Sequence, residues 1–321
     1  MASDGNLYGT TAFGNPYSSG TVFQIKPDAG GHFSVTPRTT PSGLDTFNGT
    51  YTPIYDFRSD ASAAPFAGVV QGPGGFLYGT TQRGGPSGTG TVYKVGTDGH
   101  GFTLLHGFTG DPSGNTTEGG NLQSVVLFAS DGNLYGTAIA GGTGPSIPGT
   151  VFQIKPGADG VFGANAPFQV LHNFSVYPDG GQPAAGLIQA SDGNLYGATA
   201  FGGKTSGFSH GSVFNLLGNG GQFSAASAFS TIYSFDTNGS DPNLVSGPVI
   251  QGMDGRLYGE TSRGGPGGGG RYSPWTRACP RSPSSPASPA ASCRPTSPPP
   301  TPLWSSTAGT STAGTRSQST A

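Results

Sequence analysis

Residues 1–270 of this 321-residue chain contain no cysteine and no tryptophan. That excludes a disulfide framework and a cysteine-ligated zinc site from five-sixths of the chain. Charge is scarce as well, at 9% of residues, while aromatics reach 11%. Disordered chains have the opposite bias, rich in charge and poor in aromatics. No apolar run reaches 18 residues, so no membrane span is expected. Leu, Ala, Glu and Lys never recur at three- and four-residue spacing over a useful length, so no helix is expected either. No basic region followed by an apolar run stands near Met1, so no export signal is visible. Residues 1–270 carry 16 acids against 9 bases. No basic stripe is available to displace counterions, which argues against a nucleic-acid partner.

Glycine is abundant instead, with 59 residues, and proline contributes 28. The glycines recur in a pattern. Ser-Asp-Gly-Asn-Leu-Tyr-Gly runs from Ser3 to Gly9, from Ser130 to Gly136 and from Ser191 to Gly197. Looser copies are Gly74-Gly75-Phe76-Leu77-Tyr78-Gly79 and Asp254-Gly255-Arg256-Leu257-Tyr258-Gly259. The five tyrosines are Tyr8, Tyr78, Tyr135, Tyr196 and Tyr258, about 60 residues apart. A fixed period of this length marks a repeat architecture.

Each period holds four pieces. A short apolar run comes first, such as Ala185-Gly186-Leu187-Ile188. An Asp-Gly or Gly-Gly pair then leads into Leu-Tyr-Gly, and that pairing is a strong hairpin signal. The third piece is Gly-Thr-Val-Phe, with Phe23, Tyr93, Phe152 and Phe214 as its aromatics. Its β-branched and aromatic composition favours a strand. The fourth piece ends in Phe57, Phe108, Phe174 and Phe235, and a loop containing an acid follows. Four short strands per period predict an all-β, β-propeller-like array of four-stranded repeats. About four to five repeats are expected, the terminal ones incomplete. The chain opens inside a repeat, so upstream sequence is expected, and an open or truncated propeller is favoured over a closed ring. A solenoid of stacked hairpins fits the same pattern. In any of these, one sheet needs neighbours to cover its faces.

The pattern stops near residue 270. Residues 271–321 hold Cys279, Cys293, Trp275, Trp304 and a Pro/Ser/Ala-rich text without Asp or Glu. The domain division is therefore 1–270 for the repeats and 271–321 for a disordered tail. A shift of reading frame near Gly270 would produce such a switch, and so would a genuine linker tail.

Gly-Asn-Leu-Tyr-Gly-Thr-Thr, then Gly-Gly, then Gly-Thr-Val-Phe-Gln-Ile, then Leu-His-x-Phe resembles the bacterial GloVer tandem-repeat family, the Gloeobacter/Verrucomicrobia repeat. The resemblance covers about residues 3–265. It implies an exported, surface-anchored or secreted bacterial repeat protein and brings no defined activity. An extracellular or cell-envelope location follows from it alone.

Candidate chemistry is thin. His106 and His172 share a repeat position that Tyr55 and Tyr233 fill elsewhere. A catalytic base would occur once, so a planar structural side chain is the expected role. Asp4, Asp131, Asp192 and Asp254 precede turn glycines, where Asp bonds its own backbone. The loop Asp236-Thr237-Asn238-Gly239-Ser240-Asp241 alternates oxygen side chains as calcium loops do, but lacks the EF-hand glycine and closing glutamate. Asp236, Asn238 and Asp241 are a candidate calcium loop; otherwise no metal or cofactor is expected. Glu118 and Glu260 are the only glutamates, and a carboxylate pair could serve a propeller hydrolase. The expected function is a non-catalytic binding or structural scaffold, monomeric, with a glycan or protein ligand. A polysaccharide hydrolase or lyase is the alternative.

Overall fold

The computed structural model describes residues 1–14, 16–36, 46–58, 62–110, 117–142, 148–164, 166–204, 210–235, 243–245, 247–263 and 272–275. All lie in one compact unit, Met1–Arg277. The candidate calcium loop of Asp236, Asn238 and Asp241 falls outside the described residues, as do Asp60 and Asp111.

The unit is an all-β, propeller-like array of antiparallel sheets, one per repeat. The second sheet runs Val70–Gln71, Leu77–Thr81, Thr91–Val95 and Thr103–Gly107, each strand paired with the next. The third is Leu127–Phe128, Leu134–Ala138, Thr150–Ile154 and Phe168–Asn173. The fourth is Ile188–Gln189, Leu195–Thr199, Ser212–Leu216 and Phe229–Ser234. The first sheet has three strands, Leu7–Thr11, Thr21–Lys26 and Thr50–Asp56. In the fifth, Ile250–Gln251 and Tyr272–Trp275 flank Leu257–Arg263. Tyr272–Trp275 comes from the stretch that composition assigns to the tail. It pairs with Leu257–Glu260 in the register that Gly-Thr-Val-Phe strands use elsewhere.

Register is conserved from sheet to sheet. In the first four sheets the motif glycine faces the aromatic of the Gly-Thr-Val-Phe strand: Gly9 and Phe23, Gly79 and Tyr93, Gly136 and Phe152, Gly197 and Phe214. A Cβ added to any of these glycines would lie no farther than 2.5 Å from the ring or hydroxyl opposite. Glycine is required there because the ring lies across the neighbouring strand. A bulge recurs one step away, at Val22/Phe23, Val92/Tyr93, Val151/Phe152 and Val213/Phe214.

The alternating pleat explains where the core sits. Leu and Tyr are adjacent in the motif, so they point to opposite faces. Tyr78 and Val92 of the second sheet face the third sheet, meeting Leu134, Phe152 and Ile154. Tyr135 and Val151 meet Leu195, Phe214 and Leu216 of the fourth. Tyr196 and Val213 meet Val249 and Leu257 of the fifth. Val22 meets Leu77, Tyr93 and Val95 at the first junction. Each core cluster therefore belongs to a junction rather than to a sheet. The third-piece strands Thr91–Val95 and Thr150–Ile154 are buried on both faces.

Aromatic pairs bind the junctions further. Phe57, Phe108 and Phe174 each meet the third-strand ring of the following sheet edge to face, at 5.1, 5.3 and 5.1 Å between centroids. Such geometry is favourable beyond the area buried. Five fully buried side chains form the core of the first junction. At ~2 kcal/mol each they supply about 10 kcal/mol, as much as the net stability of an ordinary domain. A sheet parted from its neighbours would not hold.

Tyr93 departs from the phenylalanine of the other repeats, and its buried hydroxyl has no hydrogen-bond partner. Leaving such a group unsatisfied costs about 1–3 kcal/mol. Tyr93→Phe is therefore expected to stabilise the protein by about 1 kcal/mol, raising the calorimetric melting midpoint by about 2–4 °C. An unchanged or lowered midpoint would contradict this placement of the hydroxyl.

Candidate binding cleft

The motif tyrosines Tyr8, Tyr135, Tyr196 and Tyr258 donate to the turn aspartates Asp4, Asp131, Asp192 and Asp254 at 2.6–2.8 Å. The same aspartates accept from the backbone N–H two residues on, as the turn reading required. The tyrosine bond was not foreseen, although both residues were in view. Burial opposes ionisation of Asp4, but the Tyr8 hydroxyl and the Asn6 groups outweigh it and hold the carboxyl below its usual range. Gln24 and Gln153 donate to the Tyr8 and Tyr135 oxygens at 2.6 Å. These aspartates serve the turn rather than a reaction.

A second link joins the turns. Gln189 accepts from the Ser130 N–H and Gln251 from the Ser191 N–H, at 2.7 and 2.8 Å. Both glutamines also donate to those serine hydroxyls at 3.1 Å. Gln71 accepts from the Ser3 N–H at 2.7 Å. The second repeat has Pro73 where the serine stands, and proline offers no N–H. The glutamine opposite is replaced by Phe128, whose ring meets Tyr78 edge to face at 4.8 Å. Tyr78, without an aspartate, is pushed up to about 12 by burial.

His106 and His172 lie flat on the first ring of the following sheet's outer strand. His106 stacks on Phe168 at 3.8 Å and His172 on Phe229 at 3.6 Å. Tyr55 does the same on Phe102 at 4.5 Å. Their planar structural role is thus visible in the stacking. Each histidine also faces a carboxylate: Nε2 of His106 lies 3.3 Å from Glu118, and Nε2 of His172 lies 3.2 Å from Asp179. Glu118 accepts from the Thr109 N–H and hydroxyl, and Asp179 from those of Ser175. Glu118 and Asp179 therefore fill one repeated role. Glu260 packs against Gly247 in the fifth sheet.

The first junction breaks the pattern. At the second and third junctions a phenylalanine from the following sheet's last loop plugs the gap. Phe162 meets Tyr78 at 5.7 Å, and Phe223 meets Tyr135 at 5.3 Å. Their loops span 155–167 and 217–228. The corresponding loop of the second sheet spans only 96–102, and its one phenylalanine, Phe102, stacks on Tyr55 and Tyr93. A cleft of about 470 Å³ remains there, lined by Ser3, Asp4, Gln71, Phe76, Thr97, Asp98, His100 and turn glycines. A second, of about 370 Å³, adjoins it and shares Gln71.

Phe76 also breaks the pattern, replacing Asn6, Asn133 and Asn194. Beneath its ring lies the ammonium of Lys94, 4.5 Å from the centroid, where the first and third repeats have Gln24 and Gln153. Asp98 accepts from the His100 N–H, which holds its carboxyl below the ordinary range. Among the described residues no group of three or more His, Cys, Asp or Glu is placed to hold a metal ion. No described helix is long and apolar enough to cross a membrane.

The family model described as the Gloeobacter/Verrucomicrobia repeat matches residues 112–276. The chain belongs to that repeat family. Its matched segment takes in the third, fourth and fifth sheets, so the Gloeobacter/Verrucomicrobia repeat is here a sheet with its junction. No curated protein matches the chain in sequence. Among solved structures, it is similar to a PQQ-bound aldose sugar dehydrogenase from Streptomyces coelicolor. Identity is 18%, over 84% of this chain and 75% of that one, with a TM-score of 0.46. A periplasmic gluconolactonase from Pseudomonas aeruginosa is similar at 14%, over 85% and 70%, with a TM-score of 0.42. A gluconolactonase from Xanthomonas campestris shows 12%, over 80% and 71%, with a TM-score of 0.39. No functional argument rests on these likenesses.

The histidine–carboxylate pairs have a consequence for pH. Burial pulls His106 below its ordinary value against the pull of Glu118. For Asp179, burial is outweighed by the bonds from His172 and Ser175, and its carboxyl is lowered too. A lowered folded-state value in either group means stability that is full above the ordinary value and lost as pH falls. Urea unfolding is therefore expected to weaken first below about pH 6.5 and again below about pH 4. His106→Tyr, the residue of the first and fourth repeats, should reduce the first loss and leave the second. An unaltered profile in that variant would contradict the assignment.

Proposed function

We propose that this chain is a non-catalytic scaffold of the cell surface or extracellular space, presenting one face of its sheet array to a glycan or protein ligand. The observation that carries this reading is the duplication of its polar pairs. Glu118 with His106 and Asp179 with His172 are one structural device used twice. Each carboxylate is occupied by two local donors that fix the loop. A general acid or base works as a single group poised at the reacting atom. The turn aspartates are likewise repeated and bound to tyrosine.

The second sheet departs from the others in Phe76 over Lys94 and in its shortened last loop, and Phe76 and that loop line the cleft. Family membership supports the scaffold role and the location outside the cytoplasm.

The test is a co-sedimentation of the purified full chain with insoluble polysaccharides, alongside an assay for released reducing ends and unsaturated products. Retention on at least one polysaccharide without product release is the expected result. Sustained product release that scales with protein would overturn the scaffold reading in favour of a hydrolase or lyase. Fractionation of producing cells should place the protein in the envelope or the medium, and a cytosolic pool would contradict that location.

A further inference from the structure

We propose that the first-junction cleft is a binding subsite for a neutral pyranose ring, seated on Phe76 and rimmed by the Ser3 turn and the Thr97–Gly101 loop. This rests on the scaffold reading and names the chemistry of its ligand.

Phe162 and Phe223 are buried in the junctions that they close. Beside the short loop of residues 96–102 lies a cleft of about 470 Å³, lined by that loop, the Ser3 turn and the turn that carries Phe76. Its volume falls in the range of small-molecule sites.

The lining decides which ring. Phe76 is half-buried, and glycines flank it: a Cβ on Gly74 or Gly101 would approach its edge at 3.2 or 3.3 Å. Side chains at those two positions would crowd the ring, and glycine keeps it open. Lys94 occupies one face of Phe76 and fixes its position. Around this apolar platform stand the Asp4 and Asp98 carboxylates, the Gln71 amide, the Ser3 and Thr97 hydroxyls and the His100 imidazole. At the other clasped junctions the serine hydroxyl accepts from a glutamine. Among the described residues, Ser3 makes only the backbone bond, so its hydroxyl is available at the rim.

A phenyl ring would leave the Ser3 and Thr97 hydroxyls unmatched, at an energetic penalty for each that it desolvates. A pyranose ring presents C–H groups on its face and hydroxyls at its edge, which matches an aromatic platform with a polar rim. The Asp4 and Asp98 carboxylates stand at the rim while the Lys94 ammonium lies beneath the Phe76 ring, so an acidic sugar would meet like charge first. Neutral hexoses are therefore the class selected.

The test titrates the full chain with maltose, cellobiose and glucuronic acid, using calorimetry and saturation-transfer NMR. At least one neutral disaccharide should bind, and glucuronic acid should not. Phe76→Ala is expected to weaken that binding by about tenfold. Thr97→Trp, which fills the cleft, should abolish it. Both variants should melt within about 2 °C of the parent, which keeps a folding defect from passing as a lost site. Undiminished binding to Thr97→Trp would overturn the cleft assignment and leave the scaffold reading standing. Retention on polysaccharide without disaccharide binding would do the same. Binding of a phenylalanine-containing peptide in place of the sugars would overturn the proposal in favour of a protein ligand. Failure to bind any of these sugars, peptides or polysaccharides would overturn the ligand reading and the cleft together.

Discussion

An aromatic ring lying over a glycine is the constraint around which this protein is organised. In four sheets the third-strand ring crosses the neighbouring strand at the motif glycine, where no Cβ could fit. The same ring then takes a phenylalanine from the preceding sheet on its edge, as Phe152 does with Phe108 and Phe214 with Phe174. One side chain thus fixes the register inside a sheet and the packing between sheets. The recurrence of Leu-Tyr-Gly follows from that double duty. Leucine and tyrosine cover opposite faces, and glycine makes room for the ring.

Polar links operate on the same scale. The glutamine–serine clasp joins residues about one repeat apart, such as Ser130 with Gln189. The histidine stacks also join neighbouring repeats, such as His106 with Phe168. Stability is therefore a sum over junctions, as expected of a repeat array. Such an array can change one junction without losing the others. The second sheet shows this freedom: its last loop is shortened, and Phe76 and Lys94 stand where its neighbours have asparagine and glutamine. Recognition is built where the repeat can be relaxed.

Much of the fold was legible in the sequence because turns and alternation are local. Asp-Gly before Leu-Tyr-Gly specifies a hairpin, and Thr-Val-Phe specifies a strand. The links between sheets were not legible, since their partners lie one repeat away and only three-dimensional register brings them together. His106 could be judged structural from its alternation with Tyr55, but not seen to stack on Phe168. Glu118 stood out as a rare glutamate, yet its structural equivalent is Asp179, hidden by a change of residue type and loop length. Tyr272–Trp275 was hidden by composition. Backbone pairing tolerates unusual side chains, so a strand forms in text that does not resemble one. The cleft was present in the sequence only as a shorter loop.

The most direct measurement of the central claim is a double-mutant cycle on Gly136 and Phe152, read as unfolding free energy. Gly136→Ala alone should destabilise the protein by about 1–3 kcal/mol, because its methyl group meets the ring of Phe152. In a Phe152→Ala background the same methyl enters vacated space, and the penalty should largely vanish. A coupling of about 1 kcal/mol or more is the predicted result. Additive effects of the two substitutions would contradict the account.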